Sequence, residues 1–192
     1  MRVLDVGCGP NKLEGATGID LNPHSEADII WDLDKIPYPI EDNSFDRIYC
    51  SHAIEHFRTD LNKIMMEFYR ILKPDGIVEI RTPHFSHMSA WASYDHIRPY
   101  ASNSWDFLCE EGTKKGARYS KDMWHTEPKF KILRKRLVYE NSLTGWYTKI
   151  ITAPFEFLAN LNPKICERIW CYWVGGFSEI YIELKALKYD VR

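Results

Sequence analysis

Val3-Leu4-Asp5-Val6-Gly7-Cys8-Gly9-Pro10 is the stretch on which the reading of this chain turns. Arg2 to Val6 reads as a short buried strand, and Gly-Cys-Gly-Pro closes it. Glycines directly after a strand let backbone N–H groups come close to a ligand, because no side chain stands between. The dinucleotide pattern GxGxxG fails here, since Lys12 occupies the place of its third glycine. The phosphate loop GxxxxGK[ST] fails as well. The turn therefore needs no pyrophosphate partner.

Outward from that turn the chain alternates strands with other elements. Thr17–Leu21 and Ala27–Trp31 read as the second and third strands, and Phe45–Cys50 as the fourth after the turn residues Glu41-Asp42-Asn43-Ser44. Leu61, Ile64, Met65, Phe68, Ile71 and Leu72 follow helical spacing, with Thr59 or Asp60 to cap the helix start and Lys73-Pro74-Asp75-Gly76 to stop it. Ile77–Arg81 is the fifth strand. Such alternation predicts an α/β fold: a Rossmann-like, doubly wound, mostly parallel sheet of about seven strands, the last one antiparallel. Residues 1–192 are expected to form a single domain, with residues 83–126 as a lid or substrate insertion after strand five. Phe130–Tyr139 is a further strand, residues 146–161 and 163–173 are helical, and Phe177–Leu187 alternates as the last strand. Only Asn11 to Ala16 separate the first two strands, too few for the helix that a parallel crossover normally carries.

The acids that follow the turn sharpen its meaning. Asp20 ends the second strand, where a carboxylate can accept from two ribose hydroxyls. Asp32-Leu33 follows the third strand; then come Ile36-Pro37-Tyr38-Pro39, Phe45-Asp46-Arg47-Ile48, Glu55-His56 and Tyr69-Arg70-Ile71-Leu72-Lys73-Pro74-Asp75-Gly76. This ordered series, over roughly residues 2–82, resembles the class I S-adenosylmethionine-dependent methyltransferases, in particular the small-molecule group similar to the enzymes of ubiquinone biosynthesis. The resemblance implies S-adenosyl-L-methionine as cofactor and S-adenosyl-L-homocysteine as product. It places Asp5, Gly7 and Gly9 at the methionine portion, Asp20 at the ribose, Asp32 and Leu33 at the adenine, and Ser51 beside the methionine end. It also implies helices before the first strand and between the first two, and this sequence shows neither.

Transfer to a hydroxyl or a protonated amine needs a base near the strand ends, and histidine titrates in the useful range. The candidates are His84, which leaves the fifth strand most directly, His87, and the segment Asp95-His96, in which Asp95 could orient His96. His52-Ala53-Ile54-Glu55-His56 matches the HxxEH pattern of a zinc protease class. Because it directly follows a strand and lacks an evident third ligand, no metal is assigned. Pro83 to Ser89 with Asp95 to Arg98 resembles proteins encoded among surface-polysaccharide glycosyltransferases. That implies a saccharide or lipid-linked saccharide as acceptor, on which Trp91, Trp105 and Trp124 could stack.

Composition bounds the rest. With 45% hydrophobic and 14% aromatic residues the chain can bury a core, and its net charge of -2 offers no general attraction to nucleic acid. A nucleic-acid methyltransferase is further disfavoured by the absence of an Asn/Asp-Pro-Pro-Tyr/Phe motif. Five cysteines without a CxxC pair suggest reduced thiols in the cytoplasm, and neither a membrane span nor a signal peptide is evident. The basic run Lys129 to Arg136 and the aromatic stretch Trp146 to Trp173 are expected to form ordinary core and solvated face, a homodimer interface, or a patch for the inner membrane surface. The expected function is methyl transfer to a small molecule; the alternatives are a cofactor-binding partner subunit that is inactive alone, or a nucleic-acid methyltransferase.

Overall fold

The computed structural model describes residues 1–109, 129–139 and 146–188. One sheet runs through it in the order β3-β2-β1-β4-β5-β7-β6. The strands are β1 (Val3–Val6), β2 (Thr17–Asp20), β3 (Ile29–Ile30), β4 (Phe45–Ser51), β5 (Leu72–Pro83), β6 (Phe130–Tyr139) and β7 (Phe177–Ala186). The first five pair in parallel, and β7 pairs antiparallel with both β5 and β6. This is the mostly parallel α/β sheet that the sequence implies. The last strand of the chain lies inside the sheet, and β6, not β7, forms its edge.

Helix α1 (Leu61–Ile71) begins at Asp60, whose carboxylate accepts the Asn62 amide at 2.8 Å, so one of the free N–H groups of the first turn is satisfied. Its buried stripe of Leu61, Ile64, Met65, Phe68 and Ile71 joins a core that also holds Leu4, Ile48, Val78, Ile80, Ile182 and Leu184. Glu67, also buried on α1, accepts the Tyr38 amide at 2.7 Å, and Arg70 binds both Glu67 and the Ile40 carbonyl. These bonds tie the β3–β4 connection to the helix. Leu72 pairs with Phe45 and the next pair is Ile77 with Arg47, so Lys73 to Gly76 bulge out of β5 between them. The fifth strand is thus longer than Ile77–Arg81, but the expected break is present.

Residues 7–16 join β1 to β2 without a helix. Side chains hold that crossover together: Asp5 accepts the Leu13 amide at 2.8 Å, and Lys12 pairs with Asp28 at 2.9 Å. The third strand shrinks from Ala27–Trp31 to Ile29–Ile30, because the Asp28 carboxylate takes the Gly18 N–H at 2.7 Å. Beyond β5, α2 is a single turn (Ser89–Ala92). Helices α3 (Trp146–Leu161), α4 (Pro163–Arg168) and α5 (Trp170–Trp173) lie between β6 and β7, so the helix expected over residues 163–173 breaks at Ile169. Residues 110–126 of the insertion, Trp124 among them, lie outside the described residues. None of the helices among the described residues is long and apolar enough to cross a membrane. All five cysteines are free.

Candidate active site

The C-terminal ends of β1, β2 and β4 meet at a crevice, where ligands sit in open α/β sheets. Gly7 has φ +70°, and a Cβ built on it would lie 2.3 Å from the Ala53 Cβ. The turn and the segment after β4 therefore touch with no room for a side chain. Gly9, at φ +55°, has nothing within 4 Å of the place its Cβ would take. Its N–H donates to Asp20 Oδ2 at 2.8 Å, while Asp20 Oδ1 accepts the Asn22 amide at 2.8 Å. Each oxygen of an ionised carboxylate has a second lone pair, so Asp20 keeps acceptor capacity toward the crevice.

Gly7, Asp20, Asp32, Leu33, His52, Ala53, His56 and Phe57 help line an inner cleft of about 230 Å³. Two carboxylates and an apolar floor of Leu33, Ala53 and Phe57 suit a ligand with hydroxyl and amino donors around a flat ring. Asp20, Leu21 and His56 also line a second, outer cavity of about 640 Å³, with Arg58, Tyr94 and Asp95 on its far side. The insertion after β5 is sewn to the inner wall. The Ile97 amide donates to the Glu55 carbonyl at 2.8 Å, the Arg98 guanidinium reaches the carbonyls of Phe57, Arg58 and Thr59, and the Tyr100 hydroxyl donates to the Ile54 carbonyl at 3.3 Å. His56 Nδ1 then stands 3.2 Å from Asp95 Oδ2, and Ser93 holds Asp95 from behind.

The sequence-derived site residues fall into distinct places. Gly7, Asp20, Asp32 and Leu33 converge on the inner cleft. Asp5 is 3% exposed, engages Leu13, and has its carboxyl pKa raised by burial. Ser51 is the last residue of β4 and pairs with Arg81. Asp95 lines the outer cavity, and His96 follows it with Nδ1 buried. His84 is elsewhere: it is 0% exposed, with Nδ1 2.7 Å from the Ser86 hydroxyl and Nε2 3.1 Å from Glu167. Sealed and doubly bonded, it faces neither cavity. Trp105 is also 0% exposed and stacks on Tyr100, so it belongs to the core and has no face to offer a sugar.

The HxxEH segment is no continuous helix. His52 has φ +50° and the 3-10 turn covers only Ile54–His56. His52 Nε2 sits 2.9 Å from Glu179, and the neighbouring carboxylates of Glu179 and Glu55 push its pKa up to about 9. Sequence reasoning missed Arg58 and Tyr94. Both sit in stretches without periodicity, and only the folded contacts of Ile97 and Arg98 bring those stretches together.

Residues 4–80 match the family described as a methyltransferase domain. That stretch, about two fifths of the chain, is similar to a methyltransferase domain. Over 102 residues it is 34% identical to the sterol 24-C-methyltransferase ERG6B of Gibberella zeae, a match that takes in 40% of this chain and 26% of that protein. The chain thus spans about a quarter of the length of that curated relative. An S-adenosylmethionine-dependent methyltransferase from Archaeoglobus fulgidus shares the fold at TM-score 0.56 and 16% identity, over 96% of this chain and 85% of that one. A chain of the complex formed with the Haloferax volcanii Trm112 methyltransferase activator superposes at TM-score 0.57 and 15% identity, over 98% and 83% of the two chains. The cofactor of such a methyltransferase domain is S-adenosylmethionine, and the donors and acceptors of the inner cleft are of the kind its adenosyl group requires.

Proposed function

We propose that this chain transfers the methyl group of S-adenosylmethionine to a small-molecule acceptor seated in the outer cavity. The carrying observation is that the inner cleft and the outer cavity share Asp20, Leu21 and His56, so a ligand in one borders a ligand in the other. Asp20 holds the ribose hydroxyls, Asp32 accepts from the adenine amino group, and Leu33 and Phe57 pack on the base. Gly7 and Gly9 shape the turn at the methionine end, and Asp5 steadies that turn through Leu13. When bound, the cofactor supplies a methyl group attached to a positively charged sulfur. The chain's own residues orient the acceptor, and positioning of that kind supplies much of the rate. Arg58, Tyr94 and Asp95 offer polar groups that suit a hydroxyl-rich acceptor such as a saccharide. Asp95 and His96 remain beside the reacting region, whereas the burial of His84 argues for a positioning role.

Incubation of the purified chain with methyl-labelled cofactor and a panel of saccharides and lipid-linked saccharides tests this reading. Label in an acceptor supports it. Cofactor binding without turnover, relieved by an added activator protein, would favour the partner-subunit reading.

The acceptor's source has a second observation behind it. Phe157, Leu158, Leu161, Ile169 and Trp173 leave large apolar groups exposed on α3 to α5, Trp173 to 85%. This face suits contact with the inner membrane surface, which would present a lipid-linked substrate. Sedimentation with anionic vesicles, lost in Phe157→Ser with Trp173→Ser, would support it; a concentration-dependent dimer that ignores vesicles would instead make the face a homodimer interface.

A further inference from the structure

The structure joins two residues of the HxxEH segment, Glu55 and His56, to His96 from a different segment, and leaves His52 out. Glu55, His56 and His96 each offer a ligand atom, and these atoms all lie within 4.8 Å of one another. We propose that the three residues form a site for one divalent transition-metal ion of the Zn²⁺ class, at the junction of the two cavities.

Two of the three ligand residues have buried atoms with no hydrogen-bond partner: Glu55 Oε1 and His96 Nδ1. Such orphans are rare in folded proteins, because leaving a buried polar atom unpaired costs about 1–3 kcal/mol and more for a charged one. Glu55 is 2% exposed. Its other oxygen accepts from the Thr82 hydroxyl at 3.1 Å, and Oε1 has the His52 imidazole as an ion-pair partner at 3.6 Å but no hydrogen bond. A cation between Glu55 and the two imidazoles would satisfy both orphans at once.

His56 has an outer shell in place. Metal-bound histidines usually give their other ring N–H to a carboxylate, which fixes the tautomer and makes the ligating nitrogen more basic. Asp95 stands in that relation to His56 Nδ1 at 3.2 Å, and Ser93 anchors Asp95 in turn. The two imidazoles meet edge-on, 4.7 Å between ring centres at 76°. Backbone bonds hold the arrangement, since the Ile97 N–H to Glu55 C=O bond joins the segment carrying His96 to the turn carrying Glu55 and His56.

Two nitrogens and one carboxylate oxygen select the ion. Ca²⁺ and Mg²⁺ take oxygen ligands, and soft ions take thiolates. A two-histidine, one-glutamate set with further positions open is that of catalytic zinc sites, with bonds of about 2.0–2.2 Å. Of the three ligand residues His56 borders both cavities, so an ion held there would lie beside them. The site stands on its own geometry and does not depend on the methyl-transfer reading.

The test uses the full chain stripped with chelator. Titration with Zn²⁺ followed by calorimetry should show one ion per chain. Co²⁺ in its place should give visible bands of a nitrogen and oxygen set, with no thiolate charge-transfer band from the cysteines. His96→Ala should weaken Zn²⁺ binding at least ~100-fold, and Asp95→Asn by ~10–100-fold, while an unchanged circular dichroism spectrum and a cooperative thermal transition confirm that each variant is folded. Should His96→Ala fail to fold, the near-isosteric Glu55→Gln carries the same expectation. No ion bound by the wild type, a thiolate band, or unchanged affinity in the folded variants would each overturn the proposal. Cofactor binding without metal binding would sink this proposal and leave the methyl-transfer reading standing.

Discussion

Gly7 and Gly9 sit two residues apart at similar positive φ, yet they should respond differently to alanine. An L side chain in the left-handed region costs roughly 1–2 kcal/mol, and both positions meet that cost at +70° and +55°. Only Gly7 meets a second one. Its new methyl would lie 2.3 Å from the Ala53 Cβ, an atom fixed to the backbone that no rotamer change can move. Forcing a methyl into a packed contact adds about 1–3 kcal/mol. Gly7→Ala should therefore cost ~2–5 kcal/mol and Gly9→Ala ~1–2 kcal/mol. With a urea slope of about 2 kcal/mol/M, the difference appears as a gap of ~0.5–1.5 M between their denaturation midpoints. Gly9→Ala should retain its fold and still bind S-adenosylhomocysteine more weakly, since its methyl enters the open space beside the cleft. Equal midpoints would refute the close packing of the turn against Ala53; unweakened ligand binding by Gly9→Ala would refute its proximity to the cofactor.

Other substitutions probe the packing and electrostatics. His84→Ala should lower the thermal midpoint whether or not cofactor is present, because it strips partners from Ser86 and Glu167; wild-type stability with lost turnover would return His84 to the catalytic group. Trp105→Ala empties a fully buried site stacked on Tyr100 and should cost ~3–5 kcal/mol in urea denaturation; a loss under ~1 kcal/mol would contradict its core placement. Burial alone would raise the Glu167 carboxyl, but hydrogen bonds from His84 and from the Ser102 amide at 2.6 Å outweigh it and hold the pKa below its ordinary value. A depressed carboxyl stabilises above the unfolded pKa of about 4.3, and that contribution fades as pH falls through the folded value. Denaturation midpoints at pH 6 and pH 3.5 should thus differ more for wild type than for Glu167→Gln; an equal difference would show that Glu167 carries none of the acid sensitivity.

What could be read from the sequence divides along physical lines. Gly7, Asp20, Asp32 and Leu33 were legible because each follows a strand end, and parallel strands bring consecutive ends to one edge. Helix α1 was legible from its 3.6-residue period. The start of β3 was not, because the Asp28 carboxylate replaces a backbone carbonyl as acceptor for the Gly18 N–H. Nor was the approach of His96 to Glu55 and His56. That contact rests on Ile97, Arg98 and Tyr100 binding carbonyls some forty residues earlier in the chain, in segments without any period. His84 shows the opposite error. Its place after a strand suggested the cleft, but a buried carboxylate 83 residues away draws it into the interior.

The central claim is that the crevice between Asp20 and Asp32 binds the adenosyl cofactor. Calorimetric titration of the purified chain with S-adenosylhomocysteine tests it most directly. Saturable binding at one site per chain is expected, weakened at least ~100-fold in a folded Asp20→Ala variant that has lost charged hydrogen bonds of roughly 1.5–3 kcal/mol each. Absence of binding by the wild type, or unaltered affinity in Asp20→Ala, would contradict it.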